Sequence, residues 1–582
     1  MDVTASAHGP TRVPPRREAA RVLLDGATLT VGELLALADG DAVPAVVPAA
    51  RERARRSWLT AQRLAASGRL YGRGTGVGAQ RSVPVEEDDE AAHGLRLLRS
   101  HAGGAGALLP ARQVRAMLAV RANQLLAGGS GIQPAFVDAL ADALRLGVHP
   151  AVNEYGGIGT GDLTALAQTG LTLIGERPWT RPEPGPVSGS GAVAPAPVTA
   201  PAHAVAAPVQ FVVVPPGRSD GPRPEPLPDA RARTAARDAS APAPAPGVAG
   251  SPAATPDRAP RDAGAGAGTP APVALRAGDA LALLSSNALA LGQAALAQGE
   301  LDVLLRATHV VAALSLAAVS GSPEAYAAPV HALRPYPGAA RAAGEVRRLL
   351  GPAEGPAARP GGRVQDPFGF RAFPQVHGCA LDACGRLREV VEVEINCPSE
   401  NPLLDADADA AYHHGGFFAA PLGLALDAAV LALLQTAQLS AARLAALGDP
   451  GLTGLPAFLA TGPVSSSGTM ILEYSAHSAL AELRSSAAPA SAGHAVLSRG
   501  LEEAASFAGQ AARQALRATE AYAVVLACEL VGAVRALRLH PDPPRVAAFA
   551  VAAQTLPEET RDRPLTDDVT AAVGLLPVLA GL

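Results

Sequence analysis

The sequence predicts an all-α fold: long helices gathered into a central bundle, interrupted by a disordered insertion rich in Pro, Ala and Gly. Apolar residues recur at three- and four-residue spacing over long stretches with few β-branched alternations. Gly and Pro punctuate the gaps between those stretches. The Gly and Pro excess of the 582-residue chain, 60 Gly and 53 Pro, is concentrated in one tract, so the composition is a mixture of a packed part and an unpacked one.

Residues 1–19 carry His, Pro and Arg without an apolar run and are expected to be a disordered N-terminus. Residues 20–180 form the first part of the helical domain, with a helix over 110–127 (PARQVRAMLAVRANQLLA). Residues 181–272 alternate Ala with Pro and cannot bury enough apolar surface to offset chain entropy, which predicts disorder. The only candidate strand in that tract is Gln210-Phe211-Val212-Val213-Val214. Residues 273–540 supply the bundle, with helices expected over 280–298, 301–319, 422–447, 469–485 and 501–538; residues 541–582 are a C-terminal extension. The insertion thus interrupts one domain and does not separate two.

Charge narrows the function. Every one of the 48 basic residues is arginine, and 53 acids leave a net charge of −5, without the basic excess of a nucleic-acid protein. Four cysteines, Cys379, Cys384, Cys397 and Cys528, lack the spacing of a zinc knuckle or redox pair and are expected as reduced, mostly buried thiols. No signal-peptide stretch and no run of about 18 uninterrupted apolar residues is present, which predicts a cytoplasmic protein without a membrane partner.

Gly-rich or polar islands lie between the helices. Tyr71-Gly72-Arg73-Gly74-Thr75-Gly76-Val77-Gly78 lacks the Lys-Ser/Thr of a phosphate-binding loop. Glu154-Tyr155-Gly156-Gly157-Ile158-Gly159-Thr160-Gly161-Asp162-Leu163 opens a helical segment. Val364-Gln365-Asp366-Pro367-Phe368-Gly369-Phe370-Arg371 and Glu394-Ile395-Asn396 with Glu400-Asn401-Pro402-Leu403 complete the set. His413-His414 beside Asp405, Asp407 and Asp409 has metal-ligand residue types, but the alternating polar run reads as a solvated loop, and no metal is expected. Glu502-Glu503 and Glu86-Glu87-Asp88-Asp89-Glu90 read as solvated faces.

In this order and at these spacings, the islands resemble the histidine and aromatic amino acid ammonia-lyase family, with its related aminomutases. Ser100-His101, Ser130-Gly131-Ile132, Arg334-Pro335-Tyr336-Pro337-Gly338 and Gly454-Leu455-Pro456 extend the match, over about residues 20–178 and 273–540. The resemblance implies an all-helical bundle of the ammonia-lyase, fumarase- and aspartase-like type. It further implies a homo-oligomer, a tetramer whose active sites are completed by loops from several subunits. Its members eliminate ammonia from an amino acid to give an α,β-unsaturated acid. They use 4-methylideneimidazole-5-one (MIO), made from an internal Ala-Ser-Gly, and a tyrosine that takes the β-proton.

The resemblance places the base on Tyr71 and the carboxylate clamp on Arg371, whose guanidinium suits bidentate binding. Asp366 orders the loop presenting that arginine. The MIO tripeptide falls on Gly159-Thr160-Gly161. Ala to Gly leaves cyclisation open, because the nitrogen of Gly161 attacks the carbonyl of residue 159; dehydration of Thr160 in place of Ser would leave an ethylidene. A modified cofactor and an uncyclised glycine turn are both consistent with these residues. Phe368 stands in place of a second catalytic tyrosine, and Ser100-His101 matches the histidine-lyase form of the selectivity pair. Ser285 falls on the family's asparagine, with Asn287 two residues on as its substitute. Phe417 and Phe418 replace polar groups, and the family's Gln-Glu pair falls on Gly493-His494, which implies a less polar pocket for an aromatic or related amino acid. Two alternatives stay open: a lyase without MIO acting on a better leaving group, and a silent relative that binds a partner.

Overall fold

The expected helix of residues 110–127 runs Ala111–Leu126, with Pro110 at its N-cap, where a missing N–H breaks no intrahelical bond. The computed structural model describes residues 20–68, 70–181, 268–351, 363–543 and 546–582. These belong to one unit, Met1–Gly191 with Ala265–Leu582; the other, Ala192–Gly264, lies outside the described residues. The expected disordered N-terminus, nearly all of the insertion and the candidate strand at 210–214 likewise fall outside them.

Eight helices position the site. They are α1 (Glu90–His101), α2 (Ala111–Leu126), α3 (Leu163–Leu173) and α4 (Ala288–Ala318), followed by α5 (Phe373–Glu394), α6 (Ala420–Leu447), α7 (Met470–Ser486) and α8 (Ala508–Leu539). α4, α6 and α8 pack on one another at the centre, with α2 against α4, α5 against α6 and α7 against α8. Alanine and glycine let these helices approach closely: a Cβ on Gly292 of α4 would sit 2.9 Å from the backbone nitrogen of Met117 on α2.

Two helix boundaries differ from expectation. The helices expected over 280–298 and 301–319 are instead a short one, Asp279–Leu284, and the continuous α4, which runs through Gly299. Gly299 does not end the helix because the Leu35 side chain fills the space where its Cβ would be. The helix expected from 501 starts only at Ala508, since Phe507 lies at φ 50° and the residues before it are drawn to the site.

Strands are short: Ala20–Leu24 pairs in parallel with Ala42–Val46, and Leu403–Asp405 forms a hairpin with Ala410–Tyr412. In residues 541–582, the helix Thr566–Leu579 packs on α8 and α4. Two helical stretches, Asp279–Ala318 and Ala420–Leu447, are long and apolar enough to cross a membrane, yet 83% and 56% of their most apolar windows are buried within the protein.

Buried polar groups tie the bundle together. Arg443 on α6 and Glu529 on α8 are both fully buried; Arg443 Nε donates to Glu529 Oε1 at 2.6 Å and Nη2 to Oε2 at 2.8 Å. Ser315 on α4 and Ser440 on α6 donate to the same carboxylate, which is thus satisfied from two neighbouring helices. Asp366 accepts from Ser322 N and pairs with Arg363, so it orders the loop ahead of Arg371.

Candidate active site

The chain leaves helix Pro48–Ser67 into a tight loop closed by hydrogen bonds between Leu70 and Arg73. Gly72 sits at φ 74°, and a Cβ there would overlap Leu281. Arg73 anchors the loop by donating to Gly131 O at 2.7 Å and Ala277 O at 2.9 Å. The loop presents Tyr71, whose hydroxyl oxygen accepts from Gly78 N at 2.8 Å and whose ring lies edge-on to His413. Burial pushes the phenol pKa above its ordinary value; the Glu502 carboxylate adds to the rise and the Gly78 N–H opposes it.

The tripeptide Gly159-Thr160-Gly161 is held almost entirely through its backbone. Gly159 O accepts from Ser506 Oγ at 3.1 Å and from Ala419 N at 3.3 Å, and Ile158 O accepts from Phe507 N at 2.8 Å. Gly161 N donates to Asn287 Oδ1 at 3.1 Å, while Asn287 Nδ2 donates to Phe417 O at 2.6 Å. Gly159 at φ 87° and Gly161 at φ 119° require glycine, and a Cβ on Gly159 would overlap Ser506 Oγ. Asp162 follows, 2% exposed; it accepts from Ala290 N at 2.9 Å at the start of α4, and burial raises its carboxyl pKa to about 6. The N-termini of α3 and α4 thus meet beside the tripeptide, adding positive potential there.

A cavity of about 260 Å³ opens on these groups. The sequence candidates Tyr71, His101, Thr160, Ser285 and Phe417 line it, together with Asn401, Ser498 and Glu502. Glu502 Oε2 accepts from Thr160 Oγ1 at 3.3 Å and Oε1 from Ser498 Oγ at 3.0 Å. Ser285 Oγ donates to Leu281 O, and His101 Nδ1 lies 3.0 Å from both Ser100 Oγ and Leu97 O.

Other expected site residues lie elsewhere. Asn287 is behind the wall, positioning the tripeptide rather than lining the cavity. Ser100 is exposed, and Phe418 is half-buried off the lining. Arg371 and Phe368 share the short helix Phe368–Arg371 outside the cavity of the single chain; the guanidinium stacks 4.1 Å over the Phe368 ring, which is 66% exposed.

Two expectations are corrected. His494, placed by the resemblance on the family's Gln-Glu pair, is exposed and away from the cavity, whereas the Glu502 carboxylate lines it. Glu502 was read with Glu503 as a solvated face; only Glu503 is exposed, because the non-helical stretch 501–507 turns Glu502 inward. The one signal for it in the sequence was a Ser-x-x-x-Glu spacing, Ser498 to Glu502. In the polar hairpin loop, Asp407 pairs with Arg56, Asp409 with Arg63, Asp405 accepts from the turn, and His414 Nε2 lies 2.8 Å from Glu400 O; no cluster with three metal-ligating side chains occurs among the described residues.

Known proteins agree with this architecture. The sequence model of the family described as aromatic amino acid lyase matches residues 29–210 and 256–559. A histidine ammonia-lyase of Anaeromyxobacter sp. (strain K) is 33% identical over 570 residues, covering 95% of this chain and 98% of that one. Among solved structures, ergothionase of Treponema denticola superposes with a TM-score of 0.77 at 22% identity, over 96% of this chain and 99% of that one. Tyrosine aminomutase of Streptomyces globisporus superposes with a TM-score of 0.76 at 23% identity, over 96% and 97%. At these identities the two structures speak for the fold alone. The family match spans both sides of the insertion and includes Tyr71, the tripeptide and Glu502, so the chain belongs to the aromatic amino acid lyases, a family of carbon–nitrogen lyases and aminomutases.

Proposed function

We propose that the protein eliminates the amino group of an imidazole-bearing amino acid, histidine or a close derivative, to give the α,β-unsaturated acid. The observation that carries this reading is the convergence of Tyr71, Thr160 and Glu502 on one cavity of about 260 Å³. A tyrosine oxygen already accepting an N–H can take the β-proton. Glu502 and His101 give the cavity polar partners for an imidazole ring, where an entirely apolar wall would suit a phenyl ring. The 33% identity to a histidine ammonia-lyase points the same way.

The tripeptide fits an MIO-type group. Ring closure needs a polarised carbonyl at 159 and an acceptor for the N–H of 161. Ser506 Oγ and Ala419 N supply the first, and Asn287 Oδ1 the second. When formed, such a group supplies an electrophile that turns the amine into a better leaving group; from Thr160 it would carry one extra methyl. Around it, Tyr71 moves the proton, Glu502 and His101 orient the side chain, and Phe417 excludes water. Arg371 and Phe368 belong to a site completed by a neighbouring copy, in a cytoplasmic homotetramer, where Arg371 would clamp the substrate carboxylate.

The test is ammonia release from L-histidine, L-tyrosine and L-phenylalanine by the wild type and Tyr71→Phe. Loss of activity by about 10²–10⁴-fold in the variant is expected, and equal activity in both sinks the base assignment. Intact-protein mass decides the cofactor: a deficit of two water molecules is expected. An unmodified mass would leave the same pocket acting on a substrate with a better leaving group.

A further inference from the structure

Glu400, in the island that no role has yet absorbed, is 2% exposed. Its Oε1 accepts from the equally buried Arg121 at 2.9 Å, but its Oε2 is buried without any partner among the described residues. Leaving a carboxylate oxygen so placed costs free energy unless something meets it. Beside it is a second void of about 20 Å³, lined among others by Arg73, Ser130 and Glu400. That volume holds a single water, and the lining provides the polar partners a buried water needs. Tyr71, Leu281, Ser285 and Asn401 line both this void and the larger cavity, so they form the wall between them.

The chemistry of the base calls for such an outlet. A phenol whose pKa lies above its ordinary value is protonated at neutral pH, and it can accept a substrate proton only as its own proton departs. Both oxygens of Glu502 already accept hydrogen bonds, from Thr160 and Ser498, whereas Glu400 Oε2 has no hydrogen-bond donor among the described residues.

We propose that Glu400 is the proton-relay residue of this site, linked to Tyr71 through one water in the void between them. The inference rests on Tyr71 being the base. As the substrate C–H bond breaks, its proton passes to the Tyr71 oxygen and the phenolic proton to the water. The water in turn gives a proton to Glu400 Oε2, and the electron pair left behind forms the C=C bond as the C–N bond breaks. The return of that proton by the same path to the departing amine restores every group, and no oxidant or co-reactant is needed. Burial raises the Glu400 pKa, which suits a temporary proton acceptor. The charged or titratable groups around it are Arg121 on α2, Arg73 in the Tyr71 loop, His414 beside its carbonyl, Cys397 on the preceding turn and, next to Cys397, Glu394 at the end of α5.

The test uses the full chain and whichever of the three amino acids above is turned over fastest. Glu400→Gln should lower kcat about 10²-fold with KM nearly unchanged and should abolish the acidic limb of the kcat pH profile; Glu400→Asp should restore that limb. Because the single change strands Arg121, the double variant Arg121→Met with Glu400→Gln, which removes the buried charge pair, should show the same profile. A folded variant with wild-type kcat and pH profile overturns the relay. If neither variant folds, the wild-type proton inventory in mixed H2O and D2O decides: a curved plot supports two or more protons in flight, and a straight one overturns the relay. The outcomes separate cleanly, since activity persisting in Tyr71→Phe removes the base itself, while an inactive Tyr71→Phe beside an unaffected Glu400→Gln removes only the relay.

Discussion

Thr160 Oγ1 donates to Glu502 Oε2 across 3.3 Å, although the two residues are 342 positions apart. The contact joins the loop that opens α3 to the stretch just before α8, and it sets a carboxylate facing the same cavity as Tyr71. Two consequences follow for Glu502→Gln. Loss of a charged partner for an imidazole should raise KM for L-histidine by about 10-fold or more. Removing the like charge should also move the limb of the kcat/KM profile that reports the proposed base, Tyr71, to lower pH, because that carboxylate helps hold the phenol pKa up. A limb that stays in place would remove Glu502 from the neighbourhood of the base.

Gly159 occupies a position where the family resemblance expects alanine, and the reason is steric. Its φ of 87° and the Ser506 hydroxyl leave no room for a Cβ. Gly159→Ala should therefore cost about 1–3 kcal/mol of stability, measured by urea unfolding. Pairing it with Ser506→Gly should recover part of that loss by removing the overlap while the backbone strain remains.

What the sequence revealed and what it concealed divide along physical lines. The Tyr71 loop and the tripeptide were legible because tight backbone at φ 74° and 87° demands glycine, and glycine marks itself in a sequence. The long helices were legible through their periodicity, but their ends were not. Gly299 reads as a break and is overridden by Leu35, while residues 501–507 read as helix and are pulled out of it by hydrogen bonds to Ile158 and Gly159. Glu502 was hidden for the same reason: an inward turn made by contacts more than 300 residues away leaves no local trace beyond the Ser498-to-Glu502 spacing. Arg371 was legible as a residue type, yet the structure places it with Phe368 on a short helix outside the cavity, which no local pattern announces.

The Arg443–Glu529 pair links the core to the short helix that carries Arg371, the proposed substrate clamp. Beyond its two bonds to Glu529, Arg443 donates through Nη1 to Gly369 O at 3.0 Å, in the short helix that carries Arg371. Glu529→Gln leaves a buried guanidinium without its counter-ion and should cost about 3–5 kcal/mol. Arg443→Met should have a further effect that stability alone does not predict: released from Gly369, the Phe368–Arg371 helix should hold the substrate carboxylate less well. A rise in KM at temperatures where the variant stays folded would establish the link, and an unchanged KM would break it.

Asp162 gives the fold a pH dependence of defined sign. Burial raises its carboxyl from the ordinary 3.8 to about 6, despite the N–H groups of Leu289 and Ala290 that favour the ionised form. An acid whose pKa is higher in the folded state binds its proton more tightly there, so its contribution to stability is fully present below pH 3.8 and is lost as pH rises through about 6. The difference corresponds to roughly 3 kcal/mol across that window. Asp162→Asn cannot ionise, so the fall in urea-unfolding free energy between pH 4 and pH 7 should be shallower in the variant than in the wild type. The comparison matters for the site because Asp162 caps α4 directly beside Gly161: if the two curves run parallel, the carboxylate is ionised at neutral pH at little cost, and the N-termini of α3 and α4 stabilise that charge more strongly than its burial opposes it.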